Sequence, residues 1–513
     1  MEKQKTKIVS IVAIIELVIT LVTATYAYFQ AQTGEGSQAD VKINANTVDT
    51  LSFETGSAIS LALDQTSFAQ GTGNKTGSTF AKAMLTANNK TNSATEHYYL
   101  YLNISSNTFT YTQNESTPEI LLTIKDGSNN EITSISGLTH KTVSDASGAS
   151  ITGFDITNKS GLITLFDNRE ITTTSNKTEE WNVTVTFVNY DADQSANAGK
   201  SFSAILMVQK EKITLSDYVI SQYTGTQGEN SIYFHDSSLT NGAGDNSYRY
   251  AGSSDSVNNF VCFGSTTNPC PTNNLYRIIG VIEGKVKLIK YDYMTAEELG
   301  TNGDYKGAYT SGSSTYKGNN YANIASYYWN SDTTTNTWSE SLLNKTNLNT
   351  NFINYMGEEW ANKIAITTWK VGGNTYANIG TAIPSVAYQN EITNPETNST
   401  DNATEYQAKI GLMYVSDYGF AASPSTWTLT MDSYDNTTAK NNNWMYMGLY
   451  EWTISRSADS SDDAFSVFDV LNNGGVLDDG VDDINAVRPS FNLESSVNYV
   501  SGSGSMSDPI VIN

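Results

Sequence analysis

Along residues 181–187 every other position is apolar: Trp181, Val183, Val185 and Phe187 alternate with Asn182, Thr184 and Thr186. Side chains alternate across an extended chain, so this period of two predicts a half-buried β-strand. Tyr98, Leu100, Leu102 and Ile104 repeat it. Further strands are expected over 59–63, 80–86, 120–125, 151–156 and 202–208, separated by clusters of Gly, Asn, Asp and Ser. Short strands at this spacing, without a long helical pattern, predict a β-sandwich over residues 28–212.

The pattern changes near residue 212. Leu215-Ser-Asp-Tyr-Val-Ile-Ser-Gln-Tyr suits a short helix, with Ser216 or Asp217 near its start and Gly225 beyond its end. Two apolar runs then meet at Glu283-Gly284, a hairpin signal, and a second hairpin is expected about Asn472-Asn-Gly-Gly. Thr337-Trp-Ser-Glu340 has the form of a capping box, so a helix is expected to start there. Residues 213–513 therefore read as an α+β unit, and the whole chain as mainly β with α+β.

The N-terminus carries a different pattern. Lys3, Lys5 and Lys7 precede an apolar run from Ile8 to Ala24, interrupted by Glu16, and small residues come next at Thr25 and Ala27. That order is a signal peptide, or a signal anchor helix, over residues 1–27. Lysines stay on the cytoplasmic side, so the chain beyond the apolar run is translocated. The product is expected outside the cell, secreted or held at its surface, with the membrane a partner only if this segment is retained. The closing Ser507-Asp-Pro-Ile-Val-Ile-Asn carries no sorting motif, so covalent wall attachment is not expected.

Thr25-Tyr26-Ala27-Tyr28-Phe29 resembles the junction of the camelysin and TasA family of Gram-positive surface and matrix proteins. That resemblance implies cleavage after Ala27 by a dedicated peptidase and a jelly-roll-like sandwich behind it. It also implies self-assembly into a biofilm-matrix fibre, for which Tyr28 to Asp40 could serve as a donor strand. In the second unit, Leu275-Tyr-Arg-Ile-Ile-Gly, Ile410-Gly-Leu-Met-Tyr-Val-Ser-Asp-Tyr, Trp452-Thr-Ile-Ser-Arg456 and Val487-Arg-Pro-Ser-Phe-Asn-Leu are similar, in this order, to a family of bacterial extracellular domains of unknown function. Its pattern relates to the C-type-lectin-like and formylglycine-generating-enzyme folds. The implication is a compact unit with a twisted hairpin and a Trp-rich core. Formylglycine-generating enzymes use paired cysteines near the active site, whereas Cys262 and Cys270 precede the matching blocks, so catalysis is not carried over.

Composition narrows the partners. The chain has 29 Lys and Arg against 53 Asp and Glu, a formal net charge of -24. Such a field repels nucleic acid and anionic membrane at long range. The two cysteines are close together, and in an oxidising exterior Cys262 and Cys270 are expected to form one disulfide. Zinc would need further ligands that the neighbourhood lacks.

Candidate chemistry is sparse. His97, His140 and His235 stand apart, and no nucleophile elbow, metal-binding helix or cysteine-nucleophile context is present, so an enzyme, a hydrolase included, is not expected. Trp427, Trp444 and Tyr446 sit among Asn and Ser and are the aromatic residues expected to be exposed for stacking on a ligand. Asp191, Asp193 and Ser195 mimic the opening of a calcium loop, although Ala196 stands where Gly is wanted and no Glu closes it. A second acidic cluster spans Asp478, Asp479, Asp482 and Asp483. Calcium is the one cofactor these groups could serve. Arg456 and Arg488 stand out because arginine is scarce, and both are expected in buried ion pairs, Arg488 beside Pro489 at a bulge or sheet edge. The sequence thus points to adhesion: a noncatalytic surface protein that presents a glycan- or protein-binding unit, with a fibre subunit as the alternative.

Overall fold

A computed structural model of the chain describes residues 49–64, 67, 73–88, 93–310, 316, 323–331, 335–395, 404–457 and 465–513. The signal or anchor segment, Glu16, Ala27 and the donor segment from Tyr28 to Asp40 lie outside the described residues. The chain is mainly β, with 40% strand and 17% helix, so sheets rather than helices set the positions of its side chains. It divides into two compact units between Lys212 and Ile213.

The first unit contains β1 (Thr50–Thr55), β2 (Ile59–Ala62), β3 (Lys75–Thr86), β4 (Ala94–Asn107), β5 (Ile120–Asp126), β6 (His140–Ser144), β7 (Ser150–Asp155), β8 (Gly161–Thr173), β9 (Asn176–Phe187) and β10 (Ser201–Gln209). One sheet has the order β1-β3-β9-β5-β7-β6 and the other β2-β10-β4-β8. Alternation aims Ile120, Leu122, Ile124, Val183 and Val185 of the first sheet into the same core as Leu100, Leu102, Ile104, Phe202 and Leu206 of the second. Polar atoms inside are linked. Trp181 Nε1 donates to Tyr98 Oη at 2.7 Å, and that hydroxyl donates to Glu179 at 2.8 Å. β3 starts at Lys75, five residues before the apolar onset at Phe80. Polar residues 75–79 pair in register with Phe187 back to Val183, and that ladder depends on backbone groups, not on side-chain polarity.

The second unit opens with a helix, Leu215–Ser221, with Ser216 and Asp217 in its first turn; its cap is Thr214, whose Oγ1 accepts the Asp217 N–H at 3.1 Å. Its largest sheet includes β11 (Ile232–His235), β12 (Ser247–Tyr250), β13 (Phe260–Cys262), β14 (Leu275–Ile282) and β15 (Lys285–Lys290). β14 is buried at every position from Leu275 to Val281, the mark of a strand covered on both faces. The β14–β15 hairpin turns at Glu283 and Gly284, both at positive φ, +51° and +75°. Gly280 admits the close approach of β12: a Cβ there would stand 2.2 Å from the Tyr248 carbonyl.

Two later expectations meet different outcomes. Strands Ser466–Val470 and Val476–Gly480 pair about the Asn-Asn-Gly-Gly turn, so that hairpin forms. The helix expected at Thr337 starts later. Trp338 is drawn into the core beside Trp329, with ring centroids 5.0 Å apart, and residues 338–340 make a turn. A ten-residue π-helix then runs over Leu343–Phe352 and continues as Ile353–Met356. Its first N–H groups are capped by Asp304, which accepts from Leu343 N at 2.6 Å, and by Ser341, which accepts from Asn344 N at 3.2 Å.

Candidate functional site

Cys262 and Cys270 are bonded, with Cα atoms 5.9 Å apart. The bridge closes a loop beyond β13 whose base is already fixed by backbone. Phe263 N donates to Asn274 O at 2.9 Å, and Asn274 Nδ2 donates to Phe263 O at 3.1 Å. Gly264, at φ +93°, lets that amide pack: a Cβ there would lie 2.5 Å from Asn274 Nδ2.

Against this loop lies a recess of about 290 Å³. It is lined by Gly264, Asn273 and Asn274, by Tyr276 of β14 and Lys290 of β15, and by Phe352, Tyr355 and Met356, where the π-helix ends and its α-helical continuation follows. Tyr355 is 43% exposed, a large aromatic ring among the lining residues that stays open to solvent. Its hydroxyl hydrogen-bonds the Asn273 side chain, and partial burial raises its pKa above the usual tyrosine value.

Charge in the recess is cancelled. Lys290 Nζ stands 2.5 Å from Glu298 Oε1 and donates to the Asn273 carbonyl at 2.6 Å. Glu298 is held in turn by a true capping box, in which Thr295 N and Thr295 Oγ1 donate to its Oε2 at 2.8 and 2.9 Å.

The aromatic residues singled out in the sequence lie elsewhere, and the expected exposure is corrected for two of them. Trp427 and Trp444 are each 1% exposed. Their indole N–H groups donate to backbone carbonyls, Trp427 to Ala422 at 2.8 Å and Trp444 to Tyr250 at 2.9 Å. The flanking Asn is not a surface residue: Asn443 is buried, donating to the Tyr418 carbonyl at 2.9 Å and accepting from Met445 N at 2.9 Å. Tyr446 is half-buried, and its hydroxyl donates to Asn472 O at 2.6 Å.

Asp191, Asp193 and Ser195 are exposed on the loop after β9. Asp193 Oδ1 accepts the Ser195 N–H at 2.9 Å, and hydrogen bonding from Ser195 lowers its pKa. Between them Gln194 turns inward to Glu119 Oε2 at 2.5 Å and the Val188 carbonyl at 2.9 Å. In the second cluster Asp479 hydrogen-bonds Asp483, and burial first, then that neighbour, pushes Asp479 up to about 7. Nearby Asp469 is buried and accepts from Asn485 Nδ2 at 3.1 Å, its pKa also raised by burial. Among the described residues no three His, Cys, Asp or Glu side chains are grouped to hold a metal.

The three histidines meet separate partners. His97 meets the Asn168 carbonyl at 3.5 Å and His140 meets Glu131 at 2.9 Å. His235 Nδ1 accepts from Ala243 N at 3.0 Å, and burial pushes its pKa down to about 3. Arg488 is in the expected buried pair, with two nitrogens 2.8 Å from the two oxygens of Glu451. No family model matches the chain, and no curated protein matches it significantly.

Proposed function

We propose that the chain is an exported, noncatalytic bacterial protein, secreted or displayed at the cell surface, whose second unit captures an extracellular glycan or protein. The observation that carries this reading is the recess between the disulfide loop and the end of the π-helix, with Tyr355 open to solvent among its lining residues. A concave site with an exposed aromatic and a few fixed polar groups is the usual form of a ligand pocket. The disulfide supports the extracellular address, since such bonds persist in oxidising compartments. The second unit is read as C-type-lectin-like, and the first as a jelly-roll-like β-sandwich that carries it.

The test is binding of the full chain and of Tyr355→Ala to immobilised extracellular glycans and proteins. Loss of capture by the variant supports the recess as the site, and equal capture removes it.

A fibre subunit is the second reading. Among the described residues β8, thirteen residues long, pairs only with β4 and ends its sheet. An open edge of that length is a template for strand addition. Filaments in negative stain of the mature protein favour assembly, and monomers favour display.

A further inference from the structure

We infer that the recess takes one neutral, hydroxyl-rich ring, such as the hexose or N-acetylhexosamine at the end of a glycan chain. This rests on the recognition reading above and names the ligand class.

Size comes first. About 290 Å³ falls just under the range of ligand pockets, roughly 300 to 1,000 Å³. That volume suits a single ring.

Charge comes second. Among the described residues that line the recess, Lys290 is the one Lys, Arg, Asp or Glu; Glu298 neutralises it at 2.5 Å while the Asn273 carbonyl takes another of its protons. An anionic ligand would meet a lysine whose charge is already balanced, and would stand close to the buried Glu298 carboxylate of like charge. The chain's net charge of -24 opposes anions at longer range as well.

The remaining polar groups are neutral and point the same way. Asn273 and Asn274 supply amides, the first already bonded to the Tyr355 hydroxyl and so able to turn that pair toward a ligand hydroxyl. Asn274 Nδ2 is engaged by the Phe263 carbonyl, so its carbonyl oxygen is the end left for a ligand hydroxyl. Tyr355, 43% exposed, and the half-buried Met356 offer aromatic and apolar surface to the C–H groups of a sugar or to an acetamido methyl, above the buried Phe352. Amides for hydroxyls and rings for C–H faces are the complement of a neutral saccharide.

The experiment titrates the full chain with neutral saccharides (hexoses and N-acetylhexosamines, free and as chain ends), with the same sugars bearing carboxylate or sulfate, and with acidic and basic peptides. Tyr355→Ala and Tyr355→Phe are run beside it, since an exposed side chain can be changed without emptying the core. The expected result is binding of a neutral saccharide that Tyr355→Ala weakens about tenfold or more and Tyr355→Phe weakens less. Affinity is expected to stay level from about 50 to about 500 mM salt. Preference for charged sugars or peptides, a steep salt dependence, or no neutral saccharide bound overturns the inference. If a protein is then still captured in a Tyr355-dependent way, the recognition reading stands without it; if nothing is captured, both fall.

Discussion

Lys287 Nζ stands 2.5 Å from Asp417 Oδ2 inside the second unit, with both side chains buried. The same carboxylate meets Arg249 Nη1 at 3.2 Å and accepts the Tyr414 N–H at 3.1 Å. Arg249 is balanced further by Asp245 at 2.8 Å. Removing Asp417 would leave two buried cations sharing one carboxylate. Asp417→Ala is expected to lower stability by about 3–5 kcal/mol, read from the midpoint of urea unfolding. The partly exposed Lys82–Glu54 pair, at 3.6 Å, is the control, and its loss is expected to cost about 1 kcal/mol or less.

Trp444 is a stability residue, because its ring is buried and carries Arg277 over its face at 4.7 Å. Trp444→Ala is expected to destabilise by about 3–5 kcal/mol in chemical denaturation. A change within about 0.5 kcal/mol would place the ring at the surface and contradict its burial.

Strand periodicity was readable wherever one face of a sheet meets a core, as in Trp181, Val183 and Val185, because burial selects alternate residues. The Glu283-Gly284 turn was readable because both residues take positive φ, which few sequences accept. Polarity misled at Asn443. A buried Asn that serves backbone groups has the same sequence as a surface Asn, so the neighbourhood of Trp444 looked exposed. The helix start was misplaced for a related reason: its cap is Asp304, 39 residues from the Leu343 N–H it accepts. The recess was half readable. Cys262 and Cys270 marked a pinned loop, but the lining residues Phe352, Tyr355 and Met356 are brought there by tertiary folding, and no local signal singles out Tyr355.

Reduction of Cys262–Cys270 should loosen a short loop without unfolding the unit. The bridge spans eight positions, and loop-closure entropy at that length gives about 2–3 kcal/mol. The base of the loop is also tied by Phe263 N to Asn274 O and by the pairing of β13 with β14. Cys262→Ser with Cys270→Ser is expected to shift the unfolding midpoint by that amount and to keep the far-ultraviolet dichroism of the parent. Loss of the β signal would show that the bridge supports more than its loop.

Glu391 gives the second unit a pH dependence of known sign. Burial pushes its pKa up to about 7, despite donors from Val415 N at 3.0 Å, Ser416 N at 2.9 Å and the Ser455 hydroxyl. An unfolded glutamate titrates near 4.3, so between about pH 4.3 and 7 the folded chain keeps a proton that the unfolded chain releases. The stability this contributes is complete below the unfolded value and is lost as pH rises through the folded one. His235 acts in the opposite direction, since a histidine held neutral by burial contributes stability that is lost as pH falls below about 6.5. Comparison with Glu391→Gln cancels the histidine and isolates the carboxyl. The margin of the parent over the variant is expected to shrink by on the order of 3 kcal/mol from about pH 4 to about pH 8, measured by urea unfolding across that range. A margin that grows with pH would mean that the three donors outweigh burial and that Glu391 is ionised in the folded chain.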